Sequence, residues 1–131
     1  MSATLTRPTQ KLTAEEFRQF LRDYEGHELH ELVDGWLQVM AEPGGKHERV
    51  RSFLYGELFL EIRNRRYPFE VHPKTLCRLT QGDHRRPDLI VVDEEVWERN
   101  TQVESILDDP PELAIEIVST NWEEDYQKKS L

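Results

Sequence analysis

Cysteine is almost absent. Cys77 stands alone, which excludes an internal disulfide and any cysteine-rich zinc module. Nothing in its setting, TLCRLT, would stabilise a thiolate, so it reads as buried filler and not as a nucleophile. Long apolar runs are missing too: the longest are four or five residues, against the ~20 needed to span a bilayer. The opening MSATLTRPTQ has no apolar stretch of signal-peptide type, so a cytoplasmic protein without a membrane partner is expected. Basic residues are in deficit, 17 Lys and Arg against 26 Asp and Glu, a formal charge of −9. There is no internal repeat and no low-complexity segment. With 37% hydrophobic and 33% charged residues in 131, the chain is more polar than average, yet it can bury a core of ordinary proportion as one domain.

The mean charge conceals a segregation. Residues 1–42 hold 4 basic and 8 acidic side chains (net −4), residues 43–86 hold 10 and 5 (net +5), and residues 87–131 hold 3 and 13 (net −10). The basic block includes Arg63, Arg65, Arg66, Arg78, Arg85 and Arg86. A polyanion could meet that block while the remaining surface repels it. Clustered carboxylates of the last block have a different use, since they attract divalent cations.

Punctuation along the chain orders the elements. Residues 1–12 read as an arm. Thr13 with Glu16 three positions on forms a capping-box pattern, and Phe17, Phe20 and Leu21 follow at helical spacing. In ELVDGWLQVM, Asp34-Gly35 between two apolar-alternating runs predicts a two-residue hairpin turn. After Pro43-Gly44-Gly45, the residues Val50, Leu54, Leu58 and Ile62, with Phe53 beside them, predict a long helix over 46–65 whose apolar stripe also carries His47. PFEVHPKTLCRL predicts a strand near an edge, or bulged, because of its internal Pro73. RRPDLIVVD predicts a short strand covered on both faces. A long polar loop runs to Pro110-Pro111, LAIEIVS predicts a second buried strand over 113–119, and Asn121 with Glu124 predicts a further helix starting near Trp122.

Two acids stand out. Alternation along LAIEIVS sets Glu116 between Ala114 and Val118 on one face, and a buried carboxylate must be paired, hydrogen-bonded or bound to a metal. Asp88 enters the other apolar strand directly after Pro87. If the two strands lie side by side, both acids and a main-chain carbonyl form a hard-oxygen site for an ion of magnesium size. Such an ion polarises a phosphodiester and acidifies water, and a nearby lysine would steady the phosphate charge. The pattern for that chemistry is Pro-Asp, a spacer, then Glu-X-Lys. His27 and His30, in HELHEL, miss the HExxH spacing, and His72 and His84 have no partner at metal spacing.

The ordered set LTAEEF, ELVDGWLQVM, PGGKHERV, RRPDLIVVD, PPELAIEIVS and DYQKKSL resembles the Uma-type family of bacterial restriction-endonuclease-like proteins, within the PD-(D/E)XK nuclease superfamily. The resemblance runs from about Leu12 to Leu131. It implies an α/β fold of α+β type: an α-β-β-β-α-β core with a mixed central sheet, preceded by an N-terminal helix and a hairpin, in a single domain over 13–131. It maps the core helix to 46–65 and core strands to 69–79, 88–93 and 113–118. It implies that Asp88 and Glu116 are the motif acids, binding Mg²⁺ or Mn²⁺ together with the Ile117 carbonyl. Val118 stands where the superfamily places the motif lysine. The Uma-type pattern puts a lysine in the following helix, here Lys129 after Asp125 with Lys128 adjacent, and His47 matches a histidine opening the first core helix.

Two functions follow. One is a metal-dependent endonuclease acting on nucleic acid, DNA in the first instance, with Asp88, Glu116, Lys129 and His47 at its catalytic centre. The other is a silent member of the family that binds nucleic acid or protein, which Val118 favours. The family pattern also continues to a further Tyr-Trp strand. Its absence here implies a C-terminally shortened copy or an open sheet edge completed by a second copy, as in a homodimer.

Overall fold

The computed structural model describes residues 10–80 and 82–118. Glu16 N–H donates to Thr13 Oγ1 (3.1 Å) and Thr13 N–H to Glu16 Oε1 (2.9 Å). This reciprocal cap satisfies two donors that a helix start otherwise leaves open, and it opens α1, Ala14–Asp23. The hairpin follows as β1, His30–Val33, and β2, Trp36–Val39. Its turn residues Asp34 (φ 53°) and Gly35 (φ 84°) both lie in the left-handed region, which matches the right-handed twist of the flanking strands. Residues 10–12 lie against this turn and β2, with Leu12 N–H on the Gly35 carbonyl and Leu37 N–H on that of Gln10.

Helix α2, Gly45–Arg65, ends where Arg66 turns left-handed (φ 57°) and Tyr67 N–H reaches back to the Ile62 carbonyl. Its inward stripe is Leu54, Leu58 and Ile62, packed on Val71, Leu89 and Val91. Val50 and Phe53, expected in that stripe, are exposed. Each step of four residues rotates about 40° around the helix, so the row winds off the sheet before it reaches position 50, and Phe53 lies on the far side.

The strand expected over 69–79 is two strands, β3, Phe69–Pro73, and β4, Leu76–Arg78. Pro73 has no N–H to continue a ladder, and Lys74 (φ 52°) redirects the chain. The short β5, His84–Arg85, precedes β6, Leu89–Asp93. The expected polar loop contains helix α3, Glu94–Asn100, and strand β7, Ile106–Leu107. Asp93 caps α3 by accepting from the N–H groups of Glu95 and Val96. The final described strand, β8, is Leu113–Ile115, shorter than the predicted 113–119.

The strands form two sheets, ordered β2-β1-β5-β4-β7 and β3-β6-β8. The first is mixed, since β4 and β7 run parallel while its other pairs are antiparallel. Strand β6 is covered on both faces as expected. Leu89 and Val91 face α2, while Ile90 and Val92 pack with Cys77, Leu107, Val96 and Trp97. A third apolar cluster joins Phe17 of α1 to Leu32, Leu76 and Ile106. Among the described residues, no helix is long and apolar enough to cross a membrane.

Candidate active site

The loop that carries Asp88 is fastened from several sides. Arg86 N–H donates to Glu31 Oε2 (2.6 Å), and its guanidinium donates to the carbonyls of His30 and Lys74, each at 3.0 Å. Lys74 N–H in turn donates to the Pro87 carbonyl (3.2 Å). Burial works against the Arg86 charge and lowers its pKa, while Glu31 opposes that shift. The β1 strand and the β3–β4 corner thus meet at one guanidinium, the corner also holds the Pro87 carbonyl, and the next residue is the acid.

Asp88 is 7% exposed. Its Oδ1 lies 3.1 Å from His47 Nε2, at the first turn of α2, and its Oδ2 accepts the Ile117 N–H at 2.7 Å. Its own backbone N–H donates to Glu116 Oε1 at 3.2 Å across 28 positions of sequence. Each carboxylate therefore lies against the other acid's stretch of backbone. Glu116 is nevertheless exposed and lies just beyond the end of β8, so the expected burial in a two-sided strand is corrected. Among the described residues, β8 pairs only with β6 and is an edge strand, which leaves its outer positions uncovered. Of Ile117, the N–H is the group engaged with Asp88.

His47 Nδ1 is buried without a hydrogen-bond partner among the described residues, 3.9 Å from Glu48 Oε1. Glu48 is clamped by Arg51, through Nε at 3.0 Å and a second nitrogen at 2.7 Å. That hydrogen bond, with the fields of Arg51, Lys74 and His47, holds the Glu48 carboxyl below its usual range. Glu48, Arg51 and Lys74 are thus neighbours of the site that sequence reading did not single out. Glu48 and Arg51 fall one and four residues after His47, so the helical period could have found Arg51. Lys74 is brought in by the corner after Pro73, which no local pattern announces.

The donor set suits a hard cation. Magnesium is commonly held by one or two carboxylates, with water and substrate oxygens completing the shell. Among the described residues no three His, Cys, Asp or Glu side chains form a metal-holding group, so a self-sufficient protein cage is not what the site offers. Lys129, Lys128 and the helix expected near Trp122 lie outside the described residues. Cys77 is buried, and burial pushes its thiol up to about 11, consistent with the inert role expected of it.

The Uma2 family model, described as "Putative restriction endonuclease", matches residues 14–131. The chain belongs to the Uma2 family. In fold it is similar to a crystal structure described as a putative nuclease belonging to DUF820 from Anabaena variabilis, with a TM-score of 0.69 at 21% identity. That match covers 91% of this chain and 65% of the other, so the Uma2 chain here spans less than two thirds of its structural neighbour. No curated protein matches the sequence.

Proposed function

We propose that this Uma2 chain hydrolyses phosphodiester bonds of nucleic acid, DNA in the first instance, with a divalent ion held between Asp88 and Glu116. The observation that carries the reading is the reciprocal seating of those acids, each carboxylate on the other's backbone segment, beside the half-buried ring of His47. Bound there, Mg²⁺ or Mn²⁺ supplies charge that polarises a phosphodiester oxygen and lowers the pKa of water. Asp88, anchored by His47 and Ile117, fixes the position of the cation. Glu116, on the exposed side, faces the solvent from which substrate arrives. His47, with Nε2 3.1 Å from Asp88 Oδ1, helps to hold that carboxylate in place. Arg51 and Lys74 are the described cations that can offset phosphate charge, and Lys129 is the family-pattern candidate for the same task.

The test has two steps. Added Mg²⁺ or Mn²⁺ raises the melting temperature of the wild type and not that of Asp88→Ala. The wild type then cleaves plasmid or single-stranded substrate in that metal, and Glu116→Gln does not. Equal metal response in both proteins, or cleavage that survives Glu116→Gln, removes the basis of the proposal. Val118 at the motif-lysine position favours a second reading, a family member that binds without cutting. Retained binding with no metal-dependent cleavage would establish it.

A further inference from the structure

At the opposite end of β3 from Asp88 lies an open depression of about 700 Å³. The C-terminal half of α2, the turn after it and the outer edge of β3 line it, with Tyr55, Phe59, Arg63, Arg66, Tyr67 and Phe69 giving it its character. Tyr55 and Phe59 are one helical turn apart. Their rings are nearly parallel, 8° between planes with centroids 6.4 Å apart, and they are 36% and 48% exposed. Tyr67, 45% exposed, tilts against Phe69 at 5.8 Å. A fold ordinarily turns such rings inward, and here four of them border solvent.

The charges beside the rings are equally specific. Arg65 is bound to Glu61 at 2.9 Å, whereas Arg63 and Arg66 have no ion-pair partner among the described residues. On the far wall, Glu70 is paired with His72 at 2.8 Å, and His72 is stacked on Trp97 at 3.5 Å. Glu94 completes that wall. Carboxylates so placed accept from the exocyclic amines of a base edge, while guanidinium groups attract phosphate. Flat aromatic faces with unspent arginines are the equipment by which proteins hold unpaired bases along a charged backbone.

We infer that this depression is a subsite for an unpaired nucleobase and its phosphate, and that the Uma2 chain engages single-stranded or locally opened nucleic acid. Strand β3 runs from Phe69 to Pro73, and Pro73 pairs with Leu89, the neighbour of Asp88. That span of four residue steps is about 14 Å, within the reach of a few nucleotides of unpaired strand. One nucleic-acid strand can therefore occupy both places. The inference rests on the nuclease reading only for the cut itself, since the subsite is defined by binding.

Binding in a chain blocked by Glu116→Gln separates the two. Fluorescence anisotropy compares a labelled 12-nucleotide single strand with the duplex of the same sequence, in EDTA. The expected results are preferential binding of the single strand, a loss of roughly 5- to 100-fold on Tyr55→Ala with Phe59→Ala, and little change for the duplex. Arg63→Gln with Arg66→Gln should lower the salt slope of single-strand binding by about 1.4. The pair Tyr55→Leu and Phe59→Leu, which keeps apolar bulk without stacking, should show the same loss if the alanine variant is unstable. Equal binding of single strand and duplex overturns the inference, as does wild-type affinity in both aromatic variants. Concentration-dependent self-association that these substitutions abolish overturns it too, since the occupant is then a second copy. Cleavage without single-strand preference would sink this inference and leave the nuclease proposal standing, and the converse result would do the reverse.

Discussion

His84 shows how a single residue can tie three elements together without carrying charge. It is fully buried, its Nδ1–H donates to the Gly82 carbonyl at 2.8 Å, and its Nε2 accepts from Arg18 Nε at 3.2 Å. Arg18 also binds Asp108, so α1, β5 and the segment after β7 meet at one guanidinium. A protonated ring would lose its acceptor and face a cation. Burial accordingly lowers the His84 pKa, as it does that of His30. Folded values below the unfolded 6.5 mean that the unfolded chain binds protons first, so stability is full above about 6.5 and is lost as pH falls through the folded values. Urea midpoints at pH 7.5 and 5.5 should differ for the wild type. The difference should shrink in His84→Ala, which should itself cost roughly 2–4 kcal/mol through the lost packing and the lost acceptor for Arg18 Nε. An unchanged pH dependence in that variant would exclude His84 as the source. Asp88→Ala should cost about 1–3 kcal/mol even without metal, because His47 and the Ile117 N–H lose their acceptor; a metal-free melt checks it.

At the scale of elements, the hairpin turn makes the sharpest demand on residue identity. Gly35 sits at φ 84°, and a Cβ there would meet the Lys11 side chain at 3.0 Å, so Gly35→Ala should lower stability by about 1 kcal/mol or more. Thr13→Ala should remove about 1 kcal/mol with the capping box. Both are readable in denaturant unfolding, and both were legible in the sequence, because a turn and a cap are fixed by a few adjacent residues. The same holds for α2, whose stripe persists from Leu54 to Ile62, and for β6, a continuous apolar run. Helix α3 was not legible: it is seven residues long and offers only Val96 and Trp97 as apolar anchors. The separation of β3 from β4 was half visible in Pro73 and depended on Lys74 adopting a left-handed conformation. The site divides the same way. Strand context predicts the juxtaposition of Asp88 and Glu116, whereas the burial it predicts for Glu116 is not observed, since that residue is exposed. Lys74 and Arg86 reach the site through tertiary routing that no spacing encodes.

For the whole molecule, the second group of proton-linked residues acts at lower pH. Hydrogen bonds from Arg18 to Asp108 and from Arg51 to Glu48 hold those carboxyls below their ordinary values of 3.8 and 4.5. Each contributes stability above its ordinary value and loses it as pH falls through the folded one. Both groups are largely exposed to solvent screening, so their share is small beside that of the histidines. Acid unfolding should therefore show its main loss of stability beginning near pH 6.5, with a weaker continuation below about 4.5, in a thermal melt series. The formal charge of −9 adds a long-range repulsion toward any polyanion. Moderate salt should consequently weaken nucleic-acid binding less steeply than for a basic protein with the same number of phosphate contacts.

The two acids are mounted on supports of unequal stiffness. Asp88 precedes β6, which is packed against α2 on one side and against α3 and the other sheet on the other, while Glu116 follows the three-residue edge strand β8. Hydrogen exchange should accordingly be slowest through Ile90–Val92 and faster over residues 116–118. A cation arriving between them would find one fixed jaw and one yielding jaw, so the ordering that accompanies its capture should be recorded almost entirely on the Glu116 side.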